Sequence, residues 1–570
     1  MSPDHCPSGG IEQCELRGPA VLLVADRAAP VGTVEAVRRR ALAEGGWLIA
    51  QVVSGDAATP ARIREVVRTA EEAGSGLVVL DAGWLTVATV YGDLVADPRD
   101  EAALLLDDMG SLVGARFPST RLPAASRWEE RSTAELLAHA GDELRASNAL
   151  RTLRPGTFPG VHVHKDLEAA LAEVDGVDEA ALRLRRASRA DDGFLSTFLV
   201  RPVSRQLTRR LVRTSVTPAR ITAVSLVLGL ASAVAYGGGH RPWLVAGSFL
   251  LAASLVVDCV DGEVARYTRT SSALGGWLDV GSDRVKEYAV YAGLAVGAAA
   301  ARGQELWGLA IAAMALLVAR HFVDFGFAAR ATPETGAGPA ARLSAATSRR
   351  TGLVWVKRAI IMPVGERTIL VIVLVPIFGA AVALAALLLW GALAAGYTTA
   401  GRLARAWSAS AVEPRSVAHQ RLVAQCDARP FLGWPAEGRV GWLWPALLRV
   451  VEIALIVAVC LLVDGAALLA VAYTLSAVVA FRGYDIVYRQ RLGEALSTED
   501  RLRGVGWPIR VFAVAAAAFV SAAMGGPASA EVVLLVLAAC WAISALVVNG
   551  AWWRAYCLHR APQEAAVSGA

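Results

Sequence analysis

The pattern of apolar and polar positions changes character near residue 220. Before about residue 190 the apolar runs are short: Ala20 to Ala25, Trp47 to Val53 and Leu77 to Leu80. They alternate with charge-rich stretches of helical period, Val34 to Glu44 and Ala61 to Ala73. Such alternation predicts a soluble α/β domain with a parallel sheet covered by helices. Gly160-Val-His-Val-His164 reads as a further strand.

After residue 220 the runs are long. A membrane span needs ~20 predominantly apolar residues. Spans are expected near 220–238, 243–260, 276–299, 306–327, 367–381, 383–400, 442–463, 465–481, 510–525 and 530–551. The fifth and sixth share one apolar run, in which Pro376 and Gly379 supply the turn signal. Ahead of the first span, Arg201, Arg205, Arg209, Arg210 and Arg213 interleave with Leu195, Phe198, Leu199, Val203 and Leu207. This predicts an amphipathic helix lying on the cytosolic membrane surface. The expected division is a cytosolic α/β domain (1–190), a juxtamembrane helix (191–219), a six-span membrane domain (220–405) and a four-span extension (406–570).

Composition supports a multi-pass α-helical membrane protein. Of 570 residues, 55% are hydrophobic and 19% charged, and mean hydropathy is +0.45. The net charge of +5 is carried mainly by arginine. Arginine clusters flank apolar runs, so the basic charge points to anionic lipid and anionic substrates rather than to nucleic acid. Arg266 and Arg269, Lys357 and Arg358, Arg402 and Arg405, and Arg489 and Arg491 fall in alternate loops, all on the side of the N-terminal domain. The opposite loops, such as Gly237 to Arg241 and Met524 to Ala528, are short and nearly uncharged. The positive-inside rule then puts the N-terminal domain in the cytosol of a cell whose inner or plasma membrane holds the spans. No basic-then-apolar leader precedes them. Cys6, Cys14, Cys259, Cys426, Cys460, Cys540 and Cys557 form no CxxC pair, which fits a reducing face.

Candidate chemistry sits where spans two and three meet. Asp258 and Asp261 are i,i+3, and Asp279 and Asp283 are i,i+4. On helices each pair projects from one face, so two facing helices would aim four carboxylates at one place. Acids near lipid are costly and mark function. Hard oxygen ligands suit Mg²⁺, Mn²⁺ or Ca²⁺ rather than zinc. Two such ions sharing carboxylates can clamp a diphosphate and stabilise a leaving phosphate. Gly262 and Gly275 remove side chains where a flat ligand or a helix could approach, Ala265 keeps the same wall thin, and Arg266 offers a forked donor for phosphate.

The run Asp258-x-x-Asp261-Gly262-x-x-Ala265-Arg266, followed by Gly275, Asp279 and Asp283, resembles the signature of the CDP-alcohol phosphotransferases over about residues 194–405. The resemblance implies a metal-dependent transfer of a substituted phosphate from a CDP-linked donor to an alcohol, with release of CMP, using Mg²⁺ or Mn²⁺ and two ions. It implies that Asp258, Asp261 and Asp279 bind metal, with Asp283 sharing an ion and acting as general base. Gly262, Ala265 and Gly275 would shape the cytidine-diphosphate pocket and Arg266 would meet phosphate. Where many relatives carry Thr-Pro-Asn, this chain has Thr217-Pro218-Ala219, without that polar contact. The donor is left open between CDP-diacylglycerol and a CDP-polyol such as CDP-inositol. The acceptor is an alcohol or phosphorylated polyol, and Lys357, Arg358 and Arg367 could hold its phosphate. Membrane lipid is an expected partner, nucleic acid is not, and a homodimer is compatible with the pattern.

The first domain resembles a sugar-nucleotidyltransferase of the kind fused to some of these enzymes. The loop Ala25-Asp26-Arg27-Ala28-Ala29-Pro30 lacks the glycines that would bring backbone amides to a triphosphate, so an inactive relic is expected. Asp81 follows a strand where such folds often hold a metal, and His162 and His164 share a strand face without a third ligand. The extension resembles one found on actinobacterial relatives; Arg449 and Glu452 read there as an internal ion pair. Two rival functions stand beside the enzyme. One is a catalytically inactive membrane scaffold or regulator of lipid synthesis. The other is a transporter, for which Asp324 is the one further intramembrane acid, with Arg320 or His321 to neutralise it.

Overall fold

The structure is a computed structural model. It describes residues 20–24, 32–42, 50–53, 59–73, 75–95, 102–107, 109, 111–119, 122–123, 133–145, 150–153, 160–163, 166–188, 192–330, 351–407, 413, 416–427, 438–463, 465, 467–492 and 506–568. Two compact units emerge: residues 1–186 with 556–570, and residues 187–555.

The first unit is α/β. Its elements are β1 (Ala20–Val24), α1 (Thr33–Leu42), β2 (Ala50–Val53), α2 (Thr59–Glu72), β3 (Leu77–Asp81), β4 (Trp84–Thr86) and α3 (Ala88–Val95). There follow β5 (Ala102–Leu106), β6 (Leu112–Phe117), α4 (Thr133–Arg145), β7 (Leu150–Leu153), β8 (Gly160–His162), α5 (Leu167–Asp175) and α6 (Glu179–Ala187). The main sheet runs β2-β1-β3-β6-β5-β7. It is mixed rather than parallel: β1 pairs parallel with β2 and β3, whereas β6 lies antiparallel between β3 and β5. The expected all-parallel sheet fails because β5 and β6 are joined by a short turn, and only antiparallel neighbours can be joined so briefly. β3 is buried on both faces: Leu77 and Val79 join the core that holds Ile63 and Leu136, while Val78 and Leu80 join the core that holds Val37 and Val90. That explains its unbroken apolar run.

β8 pairs with β4 in a separate two-stranded sheet. His162 Nε2 lies 2.8 Å from Asp107 Oδ2, so the histidine has a carboxylate partner. Asp81 Oδ1 accepts from Gly83 N–H at 2.8 Å, within a turn. His164, Asp191 and the loop 25–30 lie outside the described residues.

The second unit is helical. A π-helical turn (Ser196–Val200) leads into α7 (Arg201–Leu211), then α8 (Pro218–Gly237), α9 (Arg241–Thr268), α10 (Ala273–Arg302) and α11 (Trp307–Arg330). α12 (Thr351–Ile361), α13 (Val364–Phe378), α14 (Ala380–Ala406) and α15 (Val417–Gln425) follow. The last four are α16 (Trp444–Val463), α17 (Leu468–Arg491), α18 (Trp507–Gly525) and α19 (Pro527–Ser568). Among the described residues, eight helices are long and apolar enough to cross a membrane: α8, α9, α11, α14, α16, α17, α18 and α19. The tail of α12 and α13 are bent by 70° and would make a ninth together. The bend sits at Met362, whose φ is 53°. α10 spans 30 residues; Asp279, Asp283, Arg284, Lys286 and Glu287 in its first half keep it below the apolar threshold of its neighbours. The boundary between the fifth and sixth expected spans falls at Gly379, φ 88°, between α13 and α14.

Small residues let α8 approach its neighbours closely. A Cβ on Gly293 would fall 2.1 Å from Ala233 O, and one on Gly297 2.0 Å from Tyr236 O. Backbone contact of this kind stabilises helix pairs in lipid, where apolar burial gives little. Serines bond α8 to α9: Ser254 Oγ donates to Ser225 O at 2.8 Å, and Ser232 Oγ to Gly247 O at 2.7 Å.

α7 is amphipathic, but Arg201 is not on its polar face. It is buried and ion-paired, with Nε 2.5 Å from Asp192 Oδ2 and an amino group 2.7 Å from Glu263 Oε1. The exposed apolar residues of this segment are Phe194, Phe198, Leu199 and Val203. Asp324 is neutralised from a helix not anticipated: Arg402 on α14 sits 2.7 Å from its Oδ1. Arg320 instead donates to backbone carbonyls at Ile361 and Met362, and His321 bonds Tyr484.

Residues 406–555 of the extension share the compact unit with the core helices. Tyr473 OH donates to Tyr288 O at 2.7 Å, Tyr488 OH to Ala273 O at 2.8 Å, and Trp277 Nε1 to Asp485 at 3.2 Å. α17 therefore braces α10. Arg449 and Glu452 pair at 2.6 Å, and Arg510 Nε reaches the same carboxylate at 2.8 Å. A second acid, Asp427, meets Arg510 at 2.7 Å. One glutamate serving two arginines inside a bundle needs such a further acid to balance the charge.

Candidate functional site

The sequence ends α9 and begins α10 so that their acids converge. α9 stops at Arg269, which takes a left-handed φ of 57°. α10 starts behind Ser272, whose Oγ accepts from Gly275 N–H at 3.0 Å. Both helices pack against α8, which brings their facing ends near one another. One carboxylate oxygen each from Asp258, Asp261 and Asp279 then lie within 4.8 Å of one another. Oxygen ligands of a hard divalent ion bind at about 2.0–2.6 Å, so three oxygens this close fit the coordination sphere of a single ion.

Three of the four acids are held by groups outside the motif. Asp261 is buried, and Thr222 on α8 donates to its Oδ2 at 2.5 Å. Asp258 Oδ1 accepts from Ser225 Oγ at 3.1 Å and from Lys286 Nζ at 2.5 Å. Asp283 is not one of the three converging acids; its Oδ1 lies 3.1 Å from Lys286 Nζ. Asp258 and Asp283 both line a small cavity. Its lining also includes Lys286, Glu287, Arg367, Leu251 and Val290.

The remaining motif residues sit around the α9–α10 turn. Gly262 faces the guanidinium of Arg266, which a Cβ would meet at 3.0 Å. Arg266 Nε donates to Ala187 O. A Cβ on Gly275 would meet Ser272 Oγ at 3.1 Å. Ala265 occupies the last turn of α9, and its carbonyl accepts from Thr270 N–H at 3.0 Å. Arg367 lies apart from Lys357 and Arg358, bonding Glu287 at 2.9 Å. Arg358 donates to Asp192 O at 3.0 Å.

Thr222, Ser225 and Lys286 were not picked out by sequence reasoning. A small hydroxyl inside an apolar helix gives no pattern of its own. One signal was available: Thr222 and Ser225 are i,i+3 on α8, so they share a face.

Residues 215–398 match the profile of the family CDP-alcohol phosphatidyltransferase. Among curated relatives, a "Bifunctional IPC transferase and DIPP synthase" of Aquifex aeolicus is 39% identical over 106 residues, 18% of this chain and 23% of the relative. A protein of the same description from Thermococcus kodakarensis is 35% identical over 190 residues, 31% of this chain and 42% of the relative. An "Archaetidylinositol phosphate synthase" of Aeropyrum pernix is 40% identical over 79 residues, 13% of this chain and 41% of the relative. The chain covers less than half the length of each of these three. The three acids that converge from α9 and α10 fall within residues 215–398, the segment that matches the CDP-alcohol phosphatidyltransferase family.

Proposed function

We propose that this protein transfers a substituted phosphate from a CDP-linked donor to an acceptor alcohol and releases CMP. The observation that carries this reading is the convergence of three carboxylate oxygens from two helices within 4.8 Å. Asp258, Asp261 and Asp279 would hold Mg²⁺ or Mn²⁺. The ion would neutralise charge on the diphosphate and on the departing CMP phosphate. Thr222 fixes the orientation of the Asp261 carboxylate.

The acceptor hydroxyl oxygen bonds to the phosphorus that carries the donor's substituent. The bond from that phosphorus to the oxygen bridging to CMP breaks, and CMP leaves with the bond's electron pair. Asp283, one turn beyond Asp279 on α10, takes the hydroxyl proton. Gly262, Ala265 and Gly275 border the cytidine diphosphate, and Arg266 swings from the Ala187 carbonyl to a phosphate oxygen. Alignment and charge stabilisation supply most of the rate.

The cavity beside Asp258 and Asp283 is lined by both apolar and charged side chains, which is compatible with a substrate that has an apolar part and a phosphate. One relative is described as an "Archaetidylinositol phosphate synthase". That favours CDP-diacylglycerol or CDP-inositol as donor and a phosphorylated inositol as acceptor. The arginine-bearing loops face the cytosol, as the positive-inside rule requires, and so does the site. Purified protein with Mn²⁺, CDP-diacylglycerol or CDP-inositol, and a panel of polyol phosphates tests this reading. CMP release with a phosphodiester product by mass spectrometry supports it. No CMP from any donor would favour a scaffold.

A further inference from the structure

Lys286 is not part of the acid motif, yet its ammonium sits at the motif's centre. Nζ lies 2.5 Å from Asp258 Oδ1, 3.1 Å from Asp283 Oδ1 and 2.9 Å from Ser225 Oγ. An ammonium carries three protons. Three acceptors, one each from α8, α9 and α10, match them. The residue is 7% exposed. Burying an ammonium is costly unless it is paired and fully hydrogen-bonded, and this one meets both conditions.

The slot for its stem is built as well. A Cβ on Gly229 of α8 would fall 2.6 Å from Lys286 Cγ and 2.7 Å from Cδ. Any larger residue at 229 would push the lysine out. Gly229 and Ser225 lie one turn apart on the same face of α8, so one helix face provides both the clearance and the third acceptor.

A site for two ions needs carboxylates shared between them. Asp258 belongs to both groups here: it is one of the three converging acids, and it is a partner of Lys286. Asp283, the fourth acid, faces the ammonium. We propose that Lys286 is a resident cation standing where a second divalent ion would bind, between Asp258 and Asp283. The site then takes one divalent ion, on Asp258, Asp261 and Asp279. This rests on the metal reading above and departs from the two-ion expectation. Lys286 positions Asp283 and supplies fixed positive charge, so that part of the site's neutralisation does not depend on free metal.

Titration of the full-length protein in detergent with Mn²⁺ alone, followed by electron paramagnetic resonance, counts the ions. The wild-type chain should bind one Mn²⁺ with the spectrum of an isolated ion. Lys286→Ala should bind two, with the broadened spectrum of ions about 3.5–4 Å apart. Lys286→Gln, which keeps a polar side chain in the slot, serves if the alanine variant does not fold, and should also gain an ion. Two ions in the wild type, or one ion in every folded variant, would overturn the proposal and leave the three-acid site standing. No Mn²⁺ on the wild type would overturn both.

Discussion

Glu263 is fully buried, and the Arg201 guanidinium lies 2.7 Å from its Oε1. The same carboxylate accepts from Ser204 Oγ at 2.9 Å and Thr208 Oγ1 at 2.7 Å. One acid thus fastens three positions of α7 to α9, two residues beyond Asp261. Removing one partner of a buried pair leaves the other charge uncompensated and costs about 3–5 kcal/mol. Glu263→Gln should destabilise the fold by an amount in that range, read as a lower thermal midpoint in detergent. Hydrogen exchange across 201–211 should rise before the rest of the helical unit opens. Unchanged exchange there would show that α7 is held by something else.

The hydroxyl of Thr222 orients Asp261 from a neighbouring helix. Partners that orient a metal ligand are worth 10–100-fold in affinity. Thr222→Val keeps the volume and removes the donor, so it should weaken Mn²⁺ binding by about tenfold or more with little loss of fold. A Kd equal to wild type would mean that Asp261 does not need this contact.

The chemistry was legible where residue type and spacing carry it. Spacing alone pairs Asp258 with Asp261 (i,i+3) and Asp279 with Asp283 (i,i+4) and predicts four converging carboxylates; the structure brings Asp258, Asp261 and Asp279 together, without Asp283. Lys286 was not legible. Its side chain reaches the acids because α8 offers a glycine opposite, and that depends on helix packing rather than on period. Arg201 misled for the converse reason: in a helix rich in exposed arginines, nothing local marks the one whose partner lies some 60 residues away on α9. The span pattern held for eight helices on hydropathy alone. α10 was recognisable by its length and position, though its functional charges depress its hydropathy. In the first unit, β3 was clear from its apolar run, whereas the antiparallel insertion of β6 rests on a hairpin whose strands, Ala102–Leu106 and Leu112–Phe117, passed unremarked.

The α/β unit carries its own acid-sensitive contact. Burial alone would raise the Asp107 carboxyl, but hydrogen bonds from His162 and from Ser111 N–H outweigh it and hold the carboxyl below its ordinary value. A depressed carboxyl contributes stability above its unfolded pKa of about 3.9 and loses it as pH falls through the folded value. Unfolding of this unit should therefore steepen below about pH 4. Asp107→Asn should flatten that acid limb and lower stability at pH 7. An acid limb identical in the variant would rule out this pair as its source.

The three converging acids are open to the shortest test of all. CMP release from CDP-diacylglycerol or CDP-inositol, with Mn²⁺ and a polyol phosphate acceptor, can be timed for the wild-type chain and for Asp279→Asn. Loss of one charged ligand at a site that works by charge stabilisation should slow release by about 10²–10³-fold or more, while the folded variant keeps its thermal transition. Turnover undiminished in Asp279→Asn would mean that the carboxylates meeting between α9 and α10 are not where the reaction takes place.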